Sequence, residues 1–327
     1  MMYTKLKSIK QSAAVIFFML LVADTAKAQV ASAIPDNQLL LPAKAQTITF
    51  YWQGDSINAK WEEHTAILLP VKLKNCPRRF YMQFDLGSPY SLFYKNKLRA
   101  IQARYPKAVQ LKETDHELTD YSFHVDKMPV SAKQIAVKAF DSSTVNWSDK
   151  NSIEIIGTIG ADLLDGKVGI IDYPKKKLTI SAAIPVELAA NAPLTDFIYI
   201  QRRILLPAVI KGKQTLLYFD TGSSMFELLT NRKTVELLAV DKQVIQSNVK
   251  SWGSYLTANT VATNDSIEIG NSKIPLNKAT YIDGASNSQA EQMMKMGIGG
   301  MTGNKLFLNY TLIIDTKNKK FGLVRSM

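Results

Sequence analysis

The sequence predicts an all-β protein with a few short helices, assembled from two copies of one unit. Its apolar runs are short, rich in β-branched residues and separated by Gly, Asn, Asp and Pro. Residues 260–263, 266–270 and 273–276 alternate or break as sheet hairpins do, and Asn271 with Ser272 after Gly270 supplies a tight connection. Helical pattern is confined to residues 94–105, 231–238 and 289–296.

The duplication is the most specific signal. Tyr81, Met82, Gln83 and Phe84 lead into Asp85, Leu86, Gly87 and Ser88, and 135 residues later Leu216, Leu217, Tyr218 and Phe219 lead into Asp220, Thr221, Gly222 and Ser223. Upstream, the run Ile67, Leu68, Leu69, Pro70 recurs as Ile204, Leu205, Leu206, Pro207. Downstream, Gly160 precedes Asp172 by 12 residues and Gly303 precedes Asp315 by 12, each aspartate closing an Ile-Ile-Asp strand. A carboxylate at the end of a buried strand, followed by a residue without Cβ and then a hydroxyl, sits on a tight turn beside a hydrogen-bond donor. Two such turns can bring two carboxylates together, the arrangement needed to activate a water by acid and base. Taken alone, each aspartate also fits a turn residue that caps backbone amides.

The ends and the composition set the surroundings. Residues 1–28 carry Lys5, Lys7 and Lys10, an apolar stretch over 13–23, and Ala26, Lys27, Ala28, the form of a signal peptide cleaved near Ala28. The expected product is exported, periplasmic or secreted, with no membrane span, since no later run approaches the roughly 18 apolar residues a helix needs. Residues 29–46 read as a loose leader, 47–183 as the first lobe, 184–196 as a linker and 197–327 as the second lobe. The formal charge of +12 falls to +9 without residues 1–28, because four lysines and Asp24 leave with them. Lysines cluster at apparent turns (175–177 and 317–320), the pattern of a solvated surface, and no nucleic-acid motif accompanies them. The single Cys76 cannot form an intramolecular disulfide and reads as a small buried apolar residue.

Competing chemistries lack their residues. Residues 297–305 are glycine-rich but miss the glycine-lysine-hydroxyl order of a phosphate loop. His64, His116 and His124 have no metal-ligand spacing, and no serine-hydrolase elbow is present. No metal and no cofactor is expected.

The two Asp-x-Gly-Ser turns, each followed 75 to 83 residues later by a glycine loop (Gly160, Gly303) and an Ile-Ile-Asp strand, resemble the pepsin and retropepsin group of aspartic proteases over about residues 47–325. The resemblance implies two β-barrel-like lobes related by a pseudo-twofold axis, the acid-protease fold, with the substrate cleft between them. It implies that Asp85 and Asp220 form the catalytic pair, supported by Gly87, Ser88, Thr221, Gly222 and Ser223, with Ser88 and Ser223 bonded to the outer carboxylate oxygens. Thr221 is expected to reach the opposite lobe's backbone, whereas the first copy departs from the pattern with Leu86. Tyr121, 36 residues after Asp85, is the candidate for a covering flap, and Trp252 to Tyr255 lie at the matching distance in the second copy. The implied activity is peptide-bond hydrolysis by a monomer acting on a peptide or protein substrate. A catalytically inactive relative that binds a peptide or glycan in the same cleft, and a structural module with a basic surface, are the alternatives.

Overall fold

The computed structural model describes residues 34–140, 143–251, 254–283 and 297–325. The expected signal peptide, the expected helix over 289–296, and Trp252 with Gly253 lie outside the described residues. The chain is predominantly β, and its strands form two eight-stranded sheets, one from each half, and a six-stranded sheet to which both contribute.

The two large sheets repeat one wiring. In the first, Arg79–Phe84 runs parallel to Ile155–Ile159 (Phe84 opposite Ile159), and Leu92–Tyr94 lies antiparallel on the same strand (Leu92 opposite Thr158). In the second, Lys213–Phe219 runs parallel to Ile298–Thr302 (Phe219 opposite Thr302), with Leu228–Thr230 antiparallel to it (Leu229 opposite Met301). Each parallel pair contains one register irregularity, and a 3-10 turn follows each, Ala161–Leu164 and Asn304–Phe307. Parallel neighbours need long crossovers. Both crossovers hold a helix and a hairpin: Lys95–Arg104 with Glu117–Val125 and Met128–Lys138, then Arg232–Leu238 with Ser254–Ile269 and Ser272–Asp283. Asn231 caps the second helix by accepting the Thr234 amide at 3.0 Å.

The six-stranded sheet joins the halves. Its order is Thr195–Asp196, Lys320–Arg325, Tyr310–Asp315, Val168–Asp172, Lys177–Ser181 and Gln46–Thr49. At its centre Ile170 pairs with Ile313 in an antiparallel ladder. These residues are 143 apart, the same offset that relates Gly160 to Gly303. Equivalent residues that face each other across an antiparallel pair mark a twofold axis, so the pseudo-twofold passes between Ile170 and Ile313. The sheet is buried on both faces: Ile171, Leu178, Leu312 and Ile314 join the main core, while Val168, Ile170, Ala192 and Ile313 form a smaller one.

Two segments differ from a loose reading. Residues 34–46 are tied down: Leu39–Leu40 pairs with Met128–Lys138, and Asn37 Nδ2 donates to the Asp162 carbonyl at 2.7 Å. An otherwise open strand edge supplies partners that the polar composition of the segment does not announce. Residues 184–196 carry the helix Val186–Asn191, which buries no side chain, and the strand Thr195–Asp196, which pairs with Lys320–Arg325.

Candidate active site

Strand alternation delivers both carboxylates to one place. In Arg79–Phe84 the residues Phe80, Met82 and Phe84 enter the main core, so the intervening positions and Asp85 occupy the other face. Leu217 and Phe219 do the same before Asp220. The turns are then held alike. The Asp85 amide donates to Ile159 O at 2.9 Å and the Asp220 amide to Thr302 O at 3.0 Å. The Gly87 amide donates to Asp85 Oδ1 at 2.9 Å, and the Gly222 amide to Asp220 Oδ1 at 2.7 Å.

Each aspartate carboxylate lies against the glycine of the opposite turn. Both are buried, at 2% and 0% exposure. The glycines allow the approach: a Cβ on Gly87 would fall 2.5 Å from Asp220 Oδ1, and a Cβ on Gly222 would fall 2.5 Å from Asp85 Oδ1. Neither position has room for a side chain. Gly160 and Gly303 back the loops, where a Cβ would collide with the carbonyl groups of Tyr90 and Ser223.

The pair is electrostatically unequal. Burial, then the charge of Asp220, then the hydrogen bond to it push Asp85 well above the carboxylate range. Burial also raises Asp220, but the Ser223 hydroxyl, the contact with Asp85, and the Gly222 and Ser223 amides oppose that rise. Burial thus favours a proton on the pair, and the rise is the stronger at Asp85.

Side chains from the second half clamp the first turn. The Thr221 hydroxyl donates to Phe84 O at 2.9 Å and accepts the Leu86 amide at 2.8 Å. The Tyr218 hydroxyl donates to Gly87 O at 3.1 Å. In return, the first-half Tyr173 hydroxyl donates to Asn304 Oδ1 at 2.8 Å, and Asn304 Nδ2 donates to Thr221 O and to Ser224 Oγ, each at 2.9 Å. Lys305 pairs with Glu62 across the halves. Arg202 binds Asp165 at 2.9 Å and the carbonyls of Pro35 and Pro89.

Several placements depart from the sequence reading. Ser223 Oγ does reach Asp220 Oδ2, at 2.9 Å, but Ser88 Oγ donates to Tyr90 O at 2.8 Å, and only the Ser88 backbone amide supports Asp85. A carbonyl two residues on in the local turn wins the hydroxyl. Tyr121 is pinned inside the first lobe: its hydroxyl donates to Ala108 O at 2.9 Å and its ring meets Phe93 edge-on at 5.7 Å. The hairpin bearing it also bonds through the Asp126 amide to Pro70 O at 2.7 Å. Tyr218, Asn304 and Tyr173 were not singled out by the motifs. Tyr218 had one available signal: it lies two residues before Asp220, hence on the same strand face.

No family model matches the chain, and no curated protein sequence is similar to it. Among solved structures, the aspartic proteinase from Irpex lacteus is similar over 86% of this chain and 98% of that one, with a TM-score of 0.48 and 10% identity. The strands and the site themselves define the class: an all-β, internally duplicated, two-lobed protein that buries two aspartates on facing turns where its halves meet.

Proposed function

We propose that the chain is an aspartic-type endopeptidase in which Asp85 and Asp220 activate a water against a peptide carbonyl. The observation that carries this reading is the pair of buried carboxyls on equivalent turns, each packed against the glycine of the opposite turn. Ionised Asp220 takes a proton from the water while protonated Asp85 donates a hydrogen bond to the scissile carbonyl oxygen. The water oxygen adds to the carbonyl carbon as Asp85 passes its proton to the carbonyl oxygen, giving a tetrahedral diol; its collapse breaks the C–N bond as Asp220 returns its proton to the departing amine and a diol hydroxyl reprotonates Asp85. Gly87 and Gly222 let the carboxyls meet, and Thr221 fixes the spacing of the turns.

The substrate is a peptide or protein, and the form and charge of residues 1–28 support export before action. Asp85→Asn and Asp220→Asn, each folded as judged by circular dichroism, are expected to lose nearly all hydrolysis of a peptide library. Turnover near wild type in either variant would overturn the dyad. One observation favours the inactive, ligand-binding alternative: Leu86 has no hydroxyl to return the bridge that Thr221 makes to the first turn, so that bridge is one-sided.

A further inference from the structure

We propose that Gln83 selects substrate, donating its carboxamide hydrogen to a side-chain carbonyl or carboxyl oxygen on a residue flanking the scissile bond; this rests on the endopeptidase reading. Gln83 is 3% exposed, and its Nε2 is buried without a hydrogen-bond partner. Among the described residues it is the one such atom on a dyad strand. Buried donors are almost always satisfied, and an exception beside a reactive centre calls for a missing partner.

The direction of the side chain follows from the strand. Phe80, Met82 and Phe84 fill the core, and the opposite face runs from exposed Arg79 through half-buried Tyr81 to buried Gln83 and then Asp85. Gln83 therefore shares the face of the dyad and sits two residues, about 7 Å, from Asp85. An extended substrate advances roughly 3.5 Å per residue. A carboxamide at that distance meets a residue next to the bond being cut. The nearest side-chain hydroxyl in register, Thr158 Oγ1, is already shared with the Tyr94 hydroxyl at 2.9 Å.

The equivalent position in the second half differs in kind. There Tyr218 has its one donor on Gly87 O, and its ring belongs to an apolar cluster with Leu205, Phe226, Val249 and Ala258. Only the first-half side of the dyad thus offers an unmatched donor, and selection for an acceptor is expected on one side of the cut alone.

The test is digestion of one proteome-derived peptide library by wild type, Gln83→Leu, Gln83→Glu and Asp220→Asn. Wild type is expected to favour Asn, Gln, Asp or Glu at one flanking position. In Gln83→Leu the ratio of kcat/KM for acceptor-bearing over apolar residues there should fall tenfold or more, and Gln83→Glu should move the preference towards donor-bearing side chains. An unchanged ratio in both variants overturns the assignment and leaves Gln83 a structural amide. If wild type shows no cleavage that Asp220→Asn abolishes, the endopeptidase reading fails instead. Gln83 is then read by capture of the same library on immobilised protein: loss of acceptor-bearing peptides in Gln83→Leu supports the assignment, and identical capture overturns it.

Discussion

The Thr221 hydroxyl bridges Phe84 O and Leu86 N, so one side chain of the second half satisfies the backbone on both sides of Asp85. The bridge is fully buried. Thr221→Val would leave an acceptor and a donor unpaired in that interior, at about 1–3 kcal/mol. Melting temperature and peptide turnover should fall together, and a variant silent in both would remove Thr221 from the lock. Leu86→Thr is expected to destabilise as well, because Leu86 is fully buried in the main core.

Tyr218→Phe keeps the ring in its apolar cluster and deletes only the hydrogen bond to Gly87 O. The expected stability loss is about 1 kcal/mol. Turnover should fall more than KM changes, since the bond positions the turn that carries Asp85. A change confined to KM would assign Tyr218 to substrate contact instead.

Gly87→Ala and Gly222→Ala each place a methyl group against the opposite carboxylate. Either variant should separate the carboxyls and abolish hydrolysis, as measured by single-turnover assays on folded protein. Retained activity would show that the pair tolerates a wider spacing.

Both dyad aspartates have raised values in the folded state, with burial as the first cause. The folded protein therefore binds protons that the unfolded chain releases, and stability falls as pH rises above the ordinary carboxylate range. Hydrolysis should be greatest in acid and decline as the pair loses its shared proton. Asp85→Asn should flatten the stability decline, and a melting profile as steep as wild type would contradict it.

Asp162 supplies a second window. Burial pushes it up to about 6, against the Ser91 amide and hydroxyl that it accepts at 2.7 and 2.8 Å. Its contribution turns unfavourable as pH rises from about 4 to about 6. Above that window the penalty is constant. Asp162→Asn should thus lose less stability over that interval than wild type does, whatever its starting value, and parallel melting curves would refute the assignment.

The pairing of the two aspartate turns was legible because each turn is contiguous: strand, Asp, Gly and hydroxyl stand in order, twice, and the loops around Gly160 and Gly303 repeat with them. The all-β class was legible for the same reason. Ser88 was misread because a hydroxyl at the family position chooses between two acceptors, and the local Tyr90 carbonyl is visible only in three dimensions. The packing of Tyr121 against Phe93 and Ala108 was not legible, because distance along the chain does not say which neighbours a hairpin side chain meets. Gln83 and Tyr218 were hidden inside lead-in runs whose average is apolar, although period-two reading separates their face from that of Met82 and Phe219.

The shared sheet has a consequence for a cut chain. Val186–Asn191 fully buries no side chain and touches only the smaller core, through half-buried Leu188, so a protease could sever the backbone there and leave the main core intact. The pieces would still be fastened by the Ile170–Ile313 ladder and by the Thr221–Phe84 and Tyr173–Asn304 hydrogen bonds. Each piece alone would present a bare strand edge whose side chains match the other's. A nicked molecule should remain one particle, and two separately made fragments should recombine into a working whole by completing each other's sheet.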